Sequence, residues 1–563
     1  MPFRKPHFLV LGILAFGPLA CGGRGGLAGV APAGGTSPAI TVADLRKRLY
    51  LIADDSMMGR EAGRLGNYEV TAYIASEAKR FGLEPAGDSG TFFQTIPLFV
   101  RIPDSASTLA VAGSTLELWK DFLPVPPVQR LPVSLGASVE GFPVVFGGTI
   151  GDSTMALGGE QVAGKVVVLD AARDPAGQRA FSLAGLARFG SAAALLVANL
   201  DYAPPGVVEY LSEPQAFLRT GPPPAGRPAA AMISQSAAVR ILGRPLDELS
   251  PGAAGRPMAG YFGFVDAPPE RPARNVVAVL RGRDPALRHE YVAIGAHTDH
   301  IGIAAAPVDH DSLRAWNTIM RPLGADTRNP GQPAPEQAAA IRYLLDSLRA
   351  LRPPRPDSIY NGADDDGSGT VTVLEIAEAL VAGPRPARSI LFVWHTAEEK
   401  GLWGSQWFTD HPTVPRDSIV AQLNMDMVGR GLPLDLAKGP PILEVIGARR
   451  LSTELGDVIE RVNAGRQHPV QFDWSFDANG HPLNRYCRSD HYMYARYGIP
   501  IAFFSAGKHQ DYHMVTDEPQ YINYPHMAVL ADFIKDVALG VANLDHRLVV
   551  DKPRPDPLAP CRQ

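Results

Sequence analysis

Cysteine is scarce: Cys21, Cys487 and Cys561 are the only three in 563 residues. No Cys-x-x-Cys pair occurs, which excludes a thiolate zinc site of the usual spacing. Cys487 and Cys561 can pair in an oxidising compartment, or stand as a buried thiol and a free tail thiol. Basic blocks are absent as well. With a net charge of -5 and no extended block of Lys and Arg, nucleic acid is excluded as an expected partner. Internal repeats of roughly 20–50 residues are missing, which rules out solenoids and propellers. What is plentiful is glycine and proline, 56 and 52 residues, so many loops are expected between the elements.

The N-terminus reads as an export signal over residues 1–21. Arg4 and Lys5 precede a short apolar run, Phe8 to Phe16, too short to stay in a bilayer. Cys21 follows Leu19-Ala20 and precedes Gly22-Gly23, which resembles a bacterial lipoprotein cleavage site. Pro18 stands where that pattern usually has leucine. The resemblance implies a lipid anchor at Cys21 in an outer membrane, and otherwise a periplasmic or secreted protein. A Gly/Ala/Pro linker follows over 22–40. Two packing helices are then predicted. One runs from Thr41, its cap, to Ala53, with Leu45, Leu49 and Ile52 on one face; the other runs from Asn67 to Phe81 with Gly82 beyond its end.

From about 105 the texture turns to short β-like runs. It includes buried strands at Val162–Ala171 and Ser191–Leu200 with a helix expected between them. Beyond about 270 it becomes α/β. Asn275–Gly282, Glu290–His297, Ser389–His395, Val420–Met427 and Ile499–Ser505 are apolar without alternation, as in strands covered on both faces. Between His297 and Asp365 a long segment, 303–360, carries an amphipathic helix at Glu336–Leu351, read as a lid over the site or as surface decoration.

Asn361 to Glu375, NGADDDGSGTVTVLE, places Asp364, Asp365 and Asp366 in a row before a Gly-Ser-Gly turn. Carboxylates crowded this way repel unless something positive sits among them, and no Lys or Arg adjoins them in sequence, so a metal ion is the first candidate. One reading is a calcium loop using Asp364, Asp366, Ser368 and Glu375. Against it, the preceding segment is broken by prolines and the helix starts too early. The other reading is one carboxylate bridging two transition metals, which needs ligands elsewhere. AHTDH (Ala296–His300) ends a strand and offers His297, with Asp299 two residues on. AEEKGLWGS (Ala397–Ser405) offers adjacent Glu398 and Glu399, which can divide metal binding and proton handling between them. NMDMVG offers Asp426 and DYHMVTD offers His513.

Together these segments resemble metallopeptidase family twenty-eight, the co-catalytic di-zinc exopeptidases, over roughly 41–105 and 270–540. The resemblance implies a three-layer αβα core with a mixed, mostly parallel sheet. The core is split into 41–105 and 268–545 by a β-rich insert at 106–267 that resembles a protease-associated domain, and a tail follows at 546–563. It implies two zinc ions held by His297, Asp365, Glu399, Asp426 and His513, with Asp365 shared and the Asp365–Asp366 peptide cis. It implies Glu398 as general base, Asp299 orienting His297, Asp490 in support and Tyr512 polarising a carbonyl; His300, His395 and His491 are read as structural or supporting. The implied activity is an aminopeptidase acting on peptides. The alternatives are a carboxypeptidase using Arg430, Arg485 or Arg488 for the substrate carboxylate, a glutaminyl cyclase, whose branch typically uses a single zinc, and a non-catalytic binding protein.

Overall fold

A computed structural model describes residues 35–127, 133–152, 156–204, 206–221, 226–430 and 441–563. The segment read as an export signal, with Cys21, lies outside the described residues. All five predicted apolar runs of the α/β half form strands: β1 Arg274–Leu280, β2 Tyr291–His297, β3 Ser389–His395, β4 Ile419–Met425 and, after the unpredicted β5 Ile442–Ile446, β6 Ile501–Ser505. Every residue of β1, β2, β3, β4 and β6 is buried. The spatial order is β1-β3-β2-β4-β6-β5, extended by short strands at both edges. The inner four are parallel and the flanking β1 and β5 antiparallel, so the sheet is mixed with a parallel centre.

Helices cover both faces. On one lie α1 Val42–Ile52, α2 Leu65–Phe81, α3 Gly369–Ala382, α4 Thr453–Ala464 and α5 Tyr524–Ala542, burying Leu49, Ile74, Val373, Ile459 and Phe533 against the strands. On the other, the short helices Trp403–Asp410 and His491–Ala495 bury Phe408 and Tyr494 against Val393 and Ile501. The Thr41 side chain caps α1 by accepting from Asp44 N, and Gly82 closes α2 at φ 81°, where a side chain is disfavoured. This layering points the C-terminal ends of β2, β3 and β4 to one edge, where open α/β sheets gather their ligands.

The β-rich insert begins earlier than residue 106. Leu98–Pro103 pairs antiparallel with Met258–Ala267, so the two chain crossings run side by side and the insert's own ladder starts at the first of them. Its five-stranded sheet contains the expected pair, seen as Val166–Asp170 and Ala194–Ala198, parallel and adjacent. The helix expected between them is replaced by a two-stranded hairpin and one turn at Leu186–Phe189, because Pro175, Gly177, Gly185 and Gly190 interrupt the segment. Within 303–360, Gly302–Asp309 and Pro356–Tyr360 form an antiparallel ribbon enclosing helices His310–Met320 and Pro335–Leu351. The predicted amphipathic helix is present, but none of its residues is fully buried. The segment is fastened to the loop bearing His513: Ala325 N donates to Tyr512 O at 3.0 Å, and Arg314 pairs with Asp511 at 2.6 Å. Cys487 and Cys561 form a disulfide with Cα atoms 5.8 Å apart, tying the tail to the catalytic unit.

Candidate metal centre

The strand ends assemble the site. His297 is the last residue of β2, Glu398 and Glu399 follow β3 by three and four residues, and Asp426 directly follows β4. The Asp triplet enters from the start of α3, and its three carboxylates have different partners. Asp364 accepts from Gly429 N at 2.7 Å and meets His509 Nε2 at 3.1 Å. Asp366 accepts from the main-chain N–H groups of His297, Gly369 and Met427 at 3.0, 2.9 and 3.2 Å. The middle carboxylate alone lies between two imidazoles: Asp365 Oδ1 is 3.3 Å from His297 Nε2, and Oδ2 is 3.0 Å from His513 Nε2. The Asp365–Asp366 peptide is cis. Two glycines make room for this turn. A Cβ on Gly362, at φ 52°, would lie 2.3 Å from Asp365 O, and one on Gly369 would lie 2.3 Å from Asp366 Oδ1.

The remaining predicted ligands gather around Asp365 in two sets. Asp426 Oδ2 stands 3.9 Å from His297 Nε2, and Glu399 Oε2 stands 3.2 Å from His513 Nε2. Glu398 Oε2 lies 4.0 Å from His297 Nε2, behind the ligands. His297 Nδ1 donates to the main-chain carbonyl of Asp299 at 3.1 Å, while the Asp299 carboxylate is farther, at 3.7 Å. Asp299 therefore orients His297 through its backbone. Its carboxylate accepts instead from Glu398 N and Glu399 N at 3.1 and 3.4 Å, fixing the acidic pair.

These distances fit a metal. With Nδ1 donating, the His297 Nε2 lone pair faces carboxylate oxygens, an arrangement that is repulsive unless a cation sits between them. His297 Nε2 has no hydrogen-bond partner among the described residues. Two ligand atoms each about 2.0–2.1 Å from one zinc at a tetrahedral angle lie about 3.3 Å apart, close to the 3.0–3.3 Å separations around Asp365. Zinc takes such imidazole and carboxylate donors. Burial opposes charge on His513, yet Glu399 and Asp365 raise it to about 10. Burial pushes Glu398 well above the usual carboxylate range, with Glu399 and Asp426 adding to it.

Several expectations are corrected here. Glu375, which a calcium loop would need, points away on α3 and meets Arg48 Nε at 2.6 Å. Arg430 is buried against Asp511 at 2.5 Å and is withdrawn from any substrate carboxylate. His300 is more than a supporting ring, since its Nδ1 lies 2.7 Å from Glu399 Oε1. His395 and His491 sit in neutral roles, bonded to the Tyr494 hydroxyl and the Tyr486 carbonyl, and burial lowers both to about 3. Asp490 lies 3.5 Å from His395 Nδ1. Tyr512 stacks on His513 with ring centroids 4.0 Å apart, and its oxygen accepts from Arg488 Nη2 at 3.1 Å. A further grouping, His310, Asp357 and Glu518, is answered by the Arg355 guanidinium, 2.6 Å from His310 Nε2 and 2.9 Å from Glu518.

Sequence reasoning missed Arg60. Fully buried, it donates to the carbonyls of Asn361, Gly362 and Thr298 at 2.5, 2.8 and 3.0 Å, joining the Asp turn to the end of β2. It also missed Asp517, whose carboxylate accepts from Asp364 N and Asp365 N at 3.0 and 3.1 Å. No local signal marks either residue, because their partners are distant in sequence.

Fold and site together define an α/β protein with a buried double metal-ligating cluster at the C-terminal edge of its parallel strands. Residues 275–538 match the model of Peptidase family M28. Among curated relatives, Leucine aminopeptidase 1 of Fusarium vanettenii is 35% identical over 182 residues, 30% of this chain and 42% of that protein. A probable leucine aminopeptidase of Trichophyton verrucosum is 44% identical over 101 residues, 17% of this chain and 28% of that protein. The chain thus spans less than half the length of these relatives. Among solved structures, an aminopeptidase from Aneurinibacillus sp. strain AM-1 is 17% identical with a TM-score of 0.45, covering 92% of this chain and 98% of that one.

Proposed function

We propose that the chain is an exported di-zinc aminopeptidase that removes N-terminal residues from peptides. The observation that carries this reading is the division of Asp365: one oxygen faces His297 with Asp426 beside it, the other faces His513 with Glu399 beside it. His297, Asp365 and Asp426 would hold one zinc; His513, Asp365 and Glu399 the other. When bound, the metal pair supplies Lewis acidity and lowers the pKa of a water. Glu398 takes the proton from that water and returns it to the leaving amine, a task suited to a buried carboxyl raised above its usual range. The backbone bond from Glu398 N to Asp299 keeps it in place. Because Arg488 donates to the Tyr512 oxygen, the Tyr512 hydroxyl proton is left to donate to the substrate carbonyl oxygen as charge develops there. The 303–360 segment, fastened to the Tyr512 loop, serves as the cover of the site.

Export is supported by the N-terminal pattern and by the Cys487–Cys561 disulfide, since such bonds persist in oxidising compartments; a lipid anchor at Cys21 rests on the sequence pattern alone. A carboxypeptidase is the second reading, favoured by Arg485 and Arg488 in the same cavity. The deciding experiment measures zinc content and hydrolysis of peptides with free and acetylated N-termini, with and without chelator. Cleavage of free-amine peptides that chelator abolishes and zinc restores is expected. Cleavage of only the acetylated set would transfer the assignment to the carboxypeptidase.

A further inference from the structure

The metal ligands form only one wall of their cavity, a space of about 230 Å³. That is below the about 300–1,000 Å³ of pockets for drug-sized ligands, so it takes a terminal residue rather than a long segment. Arg485, Arg488 and Lys508 line the same cavity as Asp365, Glu398, Glu399 and Asp426. Arg485 is matched by Glu444 at 3.0 Å and donates to Ser505 at 2.9 Å. Arg488 and Lys508 are not matched one to one. Both converge on the single carboxylate of Asp326, from the 303–360 segment, Arg488 at 2.8 Å and Lys508 in direct contact. Lys508 also lies over the Tyr512 ring, 3.9 Å from its centroid. Two cations share one carboxylate at a wall where Lys508 is nearly buried and Arg488 about one-third exposed, and the further anion acting on Arg488 is Glu398, through space. A buried cation that shares its counter-charge is costly unless a ligand answers it.

We infer that Lys508 and Arg488 bind a carboxylate of the substrate, from an acidic side chain on the terminal residue or from the free C-terminus of a short peptide. This rests on the peptidase reading and gives that site its substrate class. Positioning agrees, because the wall reaches the reaction centre through Tyr512, which both cations touch. Burial, then Arg488 and Arg485 nearby, also pulls the Lys508 ammonium down to about 8, against the opposing pull of Asp326.

The test uses the zinc-loaded enzyme and paired substrates: Glu-anilide against Gln-anilide, and Leu-Gly against Leu-Gly-amide. A kcat/KM ratio of about tenfold in the first pair assigns the carboxylate to the side chain, and in the second pair to the C-terminus. Lys508→Met should pull that ratio towards one, and Lys508→Arg should keep most of it. The same pairs are titrated by calorimetry into the Glu398→Gln protein, where affinity is read without turnover. Equal affinity and equal kcat/KM for charged and neutral partners would overturn the inference. The unaltered wall supplies this answer even if Lys508→Met folds poorly. A chain that cleaves no peptide yet binds the charged partner more tightly sinks the peptidase reading and leaves the carboxylate site standing.

Discussion

Two mixed sheets in this molecule have parallel strands that end at buried carboxylates, and they treat them oppositely. In the insert, Asp170 closes a wholly buried strand, as His297 closes β2. Its oxygens are answered by Arg179 at 2.8 Å and Arg173 at 2.7 Å, so the charge is settled within the insert. At the edge of the larger sheet, Asp365, Glu399 and Asp426 find imidazoles, and His297 Nε2 is left without a hydrogen-bond partner. A buried carboxylate at a strand end is therefore no mark of a site by itself. The kind of group that answers it decides, because a guanidinium completes the charge balance whereas a lone pair demands a further cation.

That contrast can be broken by experiment. Glu398→Gln should lower kcat by about 10²–10⁴-fold while zinc content, read by elemental analysis, stays at the parent value; parental turnover would remove Glu398 as the base. Arg60→Met should cost about 3–5 kcal/mol in denaturant unfolding, since a buried cation bonded to four carbonyls is lost, and it should release zinc at lower chelator concentration than the parent protein. Zinc retention unchanged by that substitution would show that the Asp turn holds its shape without the guanidinium. Asp170→Asn should cost about 1–3 kcal/mol and leave kcat/KM as it was; a loss of activity would mean that the insert's settled charge bears on the site after all.

The smallest effect concerns Lys508. Its folded pKa, about 8, is depressed from 10.5 chiefly by burial, then by Arg488 and Arg485, against the opposing pull of Asp326. Its contribution to stability is present at high pH and is lost as pH falls through about 8, because the unfolded chain then binds the proton more tightly. In function the sign reverses: raising pH through about 8 discharges the ammonium, so the preference for an anionic substrate should weaken several-fold between neutral and alkaline pH. A preference independent of pH over that range would place the recognition on Arg488 alone.

Much of the fold was legible. The apolar runs Ser389–His395 and Glu290–His297 read as fully covered strands, and the structure places them parallel and adjacent. The insert was harder: glycine and proline broke the expected helix after Asp170, and its first strand, Leu98–Pro103, carries no local sign of which sheet it joins. At the site, ligand types and strand ends could be read from motifs, because a strand end fixes where a single side chain emerges. Arg430 shows the limit: next to a site motif in sequence, it is spent on Asp511 in space.

The order of apolar runs, the glycines of the Asp turn and the five imidazole and carboxylate residues were decided by the sequence, since each depends on chemistry within a few neighbouring residues. Which oxygen faces which ring, the guanidinium of Arg60 beneath a turn 301 residues away, and the meeting of Lys508 and Arg488 on Asp326 were decided only by tertiary structure. Electrostatic energy depends on distance in space and on burial, and neither is written along the chain.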